Sequence, residues 1–128
     1  MPLKKILIVD DEPDVVNYLT AVLESNGYRP YSAQDIKTAM QIVKKIHPDL
    51  ICLDIVMPKE TGISFYLKLQ QEKKYKNIPV MIISGIIESE KFNFRTYVKD
   101  ESVPLPQCYM EKPVDIKNFI FNIEQLTG

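Results

Sequence analysis

Lys5-Ile6-Leu7-Ile8-Val9, followed at once by Asp10-Asp11-Glu12-Pro13, decides the reading of this chain. The first five residues form a short, uninterrupted and partly β-branched apolar run, the pattern of a strand buried on both faces. Pro13 suits the first turn of a helix, with Asp10, Asp11 and Glu12 as candidate caps before it. An apolar strand that ends in carboxylates and passes straight into a helix is the opening unit of an α/β fold.

The same grammar repeats along the chain. Val15, Val16, Leu19, Val22 and Leu23 recur at helical spacing, and Gly27 suits the position that terminates a helix. A short strand is expected over residues 29–32. Asp35 reads as an N-cap for a helix carrying Ile36, Ala39, Met40, Val43 and Ile46, which Pro48 stops. Residues 50–55 form a second strongly apolar strand, interrupted by Asp54. Ile63, Tyr66, Leu67 and Leu69 mark a third helix. Residues 79–84 and 107–110 read as strands four and five. Asp115 caps a last helix with Ile116, Phe119, Ile120, Ile123 and Leu126 on one face. Between Gly85 and Pro106 a helix is expected over about residues 88–98, with Phe94 and Val98 toward the sheet and Phe92 and Tyr97 partly exposed. Val103-Pro104-Leu105-Pro106 then reads as extended loop, because prolines remove donors and restrict the residues before them. Strands alternating with helices imply a parallel sheet covered on both faces. No repeat or linker interrupts the pattern, so residues 1–128 read as one domain.

Composition narrows the function. The chain has 128 residues, 45% of them hydrophobic and 26% charged, with a formal net charge of −1. That balance gives no global field toward nucleic acid or an anionic membrane. No apolar stretch approaches the roughly 20 residues that span a bilayer, and no signal peptide is expected, so the localisation expected is cytoplasmic. Cys52 and Cys108 read as small buried hydrophobes in a reducing compartment. His47, at a helix end, reads as a solvated turn residue.

Ligands of open α/β sheets bind beyond the carboxyl ends of the strands. Asp10, Asp11, Asp54, Ser84 and Lys112 would all lie there, drawn from four strands. Three carboxylates and an ammonium at one spot suit a divalent cation and phosphoryl transfer. With those three aspartates and Lys112 the site carries two excess negative charges. Two like charges 4 Å apart cost about 4 kcal/mol at an effective dielectric near 20, so an anionic phosphodonor needs a cation there.

Four motifs in order resemble the receiver domain of two-component response regulators. They are Ile8-Val9-Asp10-Asp11-Glu12-Pro13, Asp54-Ile55-Val56-Met57-Pro58 with Gly62, Ile82-Ile83-Ser84-Gly85, and Tyr109-Met110-Glu111-Lys112-Pro113. The resemblance implies a flavodoxin-like (βα)5 doubly wound sandwich with strand order 2-1-3-4-5. It implies that Asp54 accepts a phosphoryl group from a sensor histidine kinase, a phosphotransfer protein or a small phosphodonor. Asp11, Asp54 and the Val56 carbonyl would hold Mg²⁺ (or Mn²⁺) directly, and Asp10 through water. Lys112, Ser84 and Gly85 would bind the phosphoryl group, Ser84 and Tyr109 would form the switch, and Val56 and Ile86 would tune dephosphorylation. The resemblance implies a regulatory phosphoacceptor rather than an enzyme, with an output partner or effector domain downstream and no direct contact of this domain with nucleic acid or membrane. A homodimer stays open. The Lys112–Pro113 bond is expected cis. With strand four between them, Cys52 and Cys108 would lie about 9–10 Å apart, beyond the roughly 7 Å Cα limit for a disulfide.

The chain departs from the family between Ser84 and Lys112, where 27 residues intervene and the usual Gly-Ala signal before strand five is missing. A dedicated partner reading that altered face is the expectation. Particular residues bear on three other function classes. A haloacid dehalogenase-type phosphatase needs a second aspartate where Val56 stands. A flavodoxin-like cofactor binder needs a Gly-, Ser- and Thr-rich loop where Asp10-Asp11-Glu12 stand. A degenerate receiver acting only as a phosphorylation-independent adaptor would have no need of the full set of Asp10, Asp11, Asp54, Ser84 and Lys112.

Overall fold

The structure, a computed structural model, describes residues 3–55, 62–85, 95 and 98–128. Strands β1 (Lys5–Val9), β2 (Arg29–Ala33), β3 (Leu50–Leu53), β4 (Val80–Ser84) and β5 (Cys108–Glu111) alternate with helices α1 (Pro13–Ser25), α2 (Ile36–Ile46) and α3 (Gly62–Gln70); α4 (Ile116–Thr127) closes the chain. The strands form one parallel sheet in the order β2-β1-β3-β4-β5. The expected order and fold class are therefore those observed. β3 is central, and β2 and β5 are the two edges.

Side chains alternate across the sheet with the period of two that a strand imposes. Leu7, Val9, Ile51, Leu53, Val80 and Ile82 point to one face and meet Ala39 and Val43 of α2 with Phe65, Tyr66 and Leu69 of α3. Ile6, Ile8, Leu50, Cys52, Met81 and Ile83 point to the other and meet Leu19 and Leu23 of α1 with Phe119 and Ile123 of α4. Burial of each large apolar side chain is worth about 1.5–3 kcal/mol, so the two cores fix the register that brings the strand ends level. Met81 stands between Cys52 and Cys108 in the ladder, and both cysteines are free.

Local sequence sets the ends of the elements. The Asp35 carboxylate accepts from Thr38 N at 2.7 Å, and the Asp115 carboxylate from Lys117 N and Asn118 N. His47 ends α2 in the left-handed region at φ 52 and is solvent-exposed, its N–H donating to the Val43 carbonyl. The Lys112–Pro113 bond is cis, as expected.

Four expectations shift, and one falls on residues that are not described. β3 stops at Leu53, two residues short of Ile55, although Asp54 N still donates to the Val9 carbonyl. β5 begins at Cys108, and Gln107 before it pairs with Val80 twice: Gln107 N donates to the Val80 carbonyl at 3.1 Å, and Val80 N to Gln107 Oε1 at 2.8 Å. Ile116 is 40% exposed and lines a surface depression with Asn26 and Phe121, while Phe119 in the same turn is fully buried. The N-cap of α1 is Glu12, yet no side chain caps the helix. The helix expected over residues 88–98 falls outside the described residues apart from Arg95 and Val98, as do Phe92, Phe94 and Tyr97. Val98 is buried against the α3 face.

Gly62 opens α3 where a Cβ would fall far inside contact distance of the Asp54 carbonyl and the Ile55 backbone. Its N–H donates to the Ile55 carbonyl at 3.1 Å. Backbone cannot yield as a flexible side chain does, so Gly62→Ala is expected to cost about 2–3 kcal/mol. Urea unfolding of the two proteins measures this, and equal midpoints would show that the close approach is not a constraint.

Candidate functional site

Register places the ends of β1, β3, β4 and β5 at one rim of the sheet. Val9 pairs with Leu53, and Ser84 with Glu111. Each following residue is then tied back to a neighbouring strand. Asp54 N donates to the Val9 carbonyl at 2.9 Å, Asp10 N to the Ala33 carbonyl at 3.1 Å, and Lys112 N to the Ser84 carbonyl at 3.1 Å. The main chain, not side-chain luck, brings these residues together.

Lys112 is the centre of the arrangement. Its Nζ lies 2.6 Å from Glu12 Oε1, 3.0 Å from Asp10 Oδ2 and 3.4 Å from Asp54 Oδ2. Asp10 and Asp54 are 2% and 3% exposed. Buried charge is tolerated only when paired and hydrogen-bonded, and one ammonium serves both. Burial alone would pull the Lys112 pKa down. Hydrogen bonds to Glu12 and Asp10, with the charges of Asp54 and Asp10, outweigh it, and the net shift is upward. Asp10 is fixed further by accepting from Glu12 N at 2.9 Å.

Carboxylate oxygens of Asp10, Glu12 and Asp54 lie within 4.8 Å of one another. Among the described residues this is the one such group of acidic, histidine or cysteine side chains. Asp11, expected in the trio, is partly exposed beside it. Glu12 was read from the sequence only as a cap. It reaches the site because the Asp10 turn and Pro13 aim it there, and its carboxylate goes to Lys112 instead of the helix end. The spacing Asp10-x-Glu12 directly before a helix-starting proline was the available signal. Three hard oxygen donors and two excess negative charges fit a small divalent cation.

Ser84 closes β4 and is 1% exposed, with Gly85 exposed just beyond it. Tyr109 lies opposite Ile82 in the β4–β5 ladder and packs half-buried against the α3-side core. Burial raises its hydroxyl pKa. Val56 and Ile86 lie outside the described residues. An apolar depression of about 250 Å³, lined by Val15, Tyr18, Pro113 and Val114 among others, opens beside Lys112.

The sequence pattern of the family described as "Response regulator receiver domain" matches residues 6–121. The chain is 36% identical over 87 residues to the phosphate regulon transcriptional regulatory protein PhoB of Escherichia coli, covering 68% of this chain and 38% of that protein. It is 35% identical over 129 residues to the probable transcriptional regulator ycf27 of Porphyridium aerugineum, covering 100% of this chain and 52% of that one. The chain thus spans about half, or less, of the length of these relatives. Among solved structures, the receiver domain of the Francisella response regulator 1452 is similar at 27% identity with a TM-score of 0.79, covering 97% of this chain and 96% of that one. The chemotaxis protein CheY4 of Vibrio cholerae shares the fold at 22% identity with a TM-score of 0.83, covering 98% and 99%.

A raised lysine pKa gives a defined pH dependence. The contribution of Lys112 to stability is complete below the unfolded-state value of 10.5 and is lost only as pH rises through the higher folded value. In chelator-containing buffer, Lys112→Met is expected to cost about 3 kcal/mol by stranding buried carboxylates. The difference in unfolding free energy between the two proteins should stay flat from neutral pH to about 10 and narrow above that. A difference that collapses already between neutral pH and about 10 would contradict the ion cluster.

Proposed function

This chain belongs to the response regulator receiver domain family, and on that premise we propose that it is a phosphoaccepting switch with Asp54 as the acceptor. The observation that carries the reading is the convergence of Asp10, Glu12 and Asp54 on Lys112. An Asp54 oxygen attacks the phosphorus of a phosphohistidine or small phosphodonor, the P–O bond forms as the donor's bond to phosphorus breaks, and an aspartyl phosphate results. Asp54 must come free of Lys112 to do so. The released ammonium then pairs with the phosphoryl oxygens, where charge redistributes during transfer.

Asp10, Asp11 and Asp54, with the Val56 carbonyl, would hold Mg²⁺ or Mn²⁺, and the place of Glu12 in the trio adds it to that set. Bound there, such an ion supplies neutralisation of phosphoryl charge. The Ser84 hydroxyl and the Gly85 backbone would donate to phosphoryl oxygens. Movement of Ser84 toward the phosphate would let Tyr109 turn inward, a shift between two existing arrangements. Val56 and Ile86 are apolar, so neither can polarise an attacking water, and a slow loss of phosphate follows.

A histidine kinase or phosphotransfer protein is the donor in this reading. The depression beside Lys112, with Tyr18 at 46% exposure, supplies an apolar seat for it next to the acceptor. Among the described residues no helix is long and apolar enough to cross a membrane; we place the domain in the cytoplasm, where its donors are. Its output goes through a partner or effector domain.

Acetyl phosphate is expected to add one phosphoryl group to the protein only when Mg²⁺ or Mn²⁺ is present, and none to Asp54→Asn. Intact-mass measurement with and without chelator reads this directly. Equal modification in both would remove the metal from the reading, and modification of Asp54→Asn would move the acceptor elsewhere.

A further inference from the structure

The carboxylate rim is acidic, and the opposite end of the sheet is basic. α2 ends in Lys44 and Lys45, and the turn that leads toward β4 carries Lys73, Lys74 and Lys76. All five are exposed. One aromatic contact sets the two segments side by side: the His47 and Tyr75 rings meet with centroids 5.2 Å apart. Tyr75 is buried, and its turn is closed by its N–H donating to the Glu72 carbonyl and by Ile78 N donating to its own carbonyl, both at 3.0 Å. The lysines flanking it are thereby fixed beside the end of α2. Residues 44–49 and 71–78 hold five lysines against Asp49 and Glu72, a surplus of three positive charges in a chain of formal net charge −1. The Asp49 carboxylate accepts from Lys5 N at 2.8 Å. Lys44 and Lys45 also suit the negative end of the α2 dipole, but Lys73, Lys74 and Lys76 lie beyond the last turn of α3, outside the reach of such an effect.

The same turn borders a cleft of about 670 Å³, a size that ligand sites have. Lys76 and Asn77 line it from this turn, Lys99 and Ser102 from the segment before β5, and Leu67 and Val103 are among its apolar residues. The segment before β5 is held in place without filling the cleft. The Arg95 guanidinium donates to the Asp100 and Val103 carbonyls, both at 2.7 Å, and the Tyr66 hydroxyl donates to the Pro104 carbonyl at 2.7 Å. Asp100 turns its carboxylate onto Ser102, accepting from N and Oγ. Glu101, exposed beside it, is the other acid of this segment. A flat basic surface would suit any polyanion. A recess with apolar lining next to it selects further, because a phosphate backbone has no apolar group to place there and a bilayer cannot enter it.

We propose that this cleft and its lysines dock an acidic segment of a partner polypeptide, with carboxylates on Lys73, Lys74 and Lys76 and one apolar side chain in the cleft. Asp54 stands at the other end of the strands, a strand's length of roughly 15 Å away. The segment is therefore held whether or not Asp54 carries a phosphoryl group, and the proposal goes beyond the phosphoacceptor reading without resting on it.

A site that selects by charge and one apolar side chain can be tested with a generic probe, a blocked peptide of glutamates with a single central leucine. Titration calorimetry on the whole chain measures its affinity, and amide chemical shifts locate it. Binding should shift Lys74, Lys76, Asn77 and Ser102, leave Lys112 unmoved, and weaken steeply as salt rises above about 0.1 M. Lys74→Glu combined with Lys76→Glu should lower the affinity about 10-fold, because each reversal turns an exposed attraction into a repulsion. Replacing the leucine of the probe by serine should lower it about 5-fold. No binding at low salt, binding that ignores the lysine reversals, equal affinity for the serine peptide, or shifts centred on the depression beside Lys112 would each overturn the proposal. So would duplex DNA or phosphatidylglycerol vesicles binding the same lysines more tightly than the peptide, since the occupant would then be a phosphate polyanion.

Discussion

One ammonium group holds the working rim of this protein together. Lys112 reaches three carboxylates carried by the ends of β1 and β3 and by the turn into α1. Without a cation at that point, Asp10 and Asp54 would be buried anions facing each other, a situation that proteins avoid by protonation or by opening. The strand order depends on no such pair, since two apolar cores settle it. The same cores bring the strand ends level, and Lys112 makes the buried carboxylates gathered there tolerable as charges. Lys112 is itself aimed from the backbone, by the bond from its N–H to the Ser84 carbonyl, so the charge is delivered by sheet register.

Much of this was legible in the chain because buried parallel strands write themselves as uninterrupted apolar runs. Lys5-Ile6-Leu7-Ile8-Val9 and Leu50-Ile51-Cys52-Leu53 permit no other placement, and the acids that end them must stand at the rim. The edge strand β5 was read one residue early because Gln107 imitates a strand residue: it pairs with Val80 through both main chain and side chain. Glu12 escaped for a different reason. Acids before a helix are caps so often that the spacing Asp10-x-Glu12 before Pro13 is a weak signal for an acid drawn elsewhere by a lysine 100 positions away.

The hydrogen bonds of Tyr66 and Arg95 were equally invisible. Tyr66 looked like one more apolar residue in a helical stripe, and nothing local joins it to Pro104, 38 residues on. The prolines did forecast an extended path over 103–106, since they bar a helix there. They could not forecast that one of their carbonyls would satisfy a buried phenol. Ile116 misled in the opposite sense: its spacing fits the buried face of α4, yet it is 40% exposed, and spacing carries no information on where a helix begins to touch its neighbour.

The edge strand β2 bears on a matter apart from signalling. A parallel sheet with free edges invites strands from other molecules to join it. β2 carries Arg29, exposed, and Pro30, which has no amide hydrogen to offer a ladder, and Ser32 is exposed as well. Its apolar contribution to the core comes from Tyr31 and Ala33. The chain thus keeps one side of its sheet unattractive to fibrillar growth during synthesis and at high concentration.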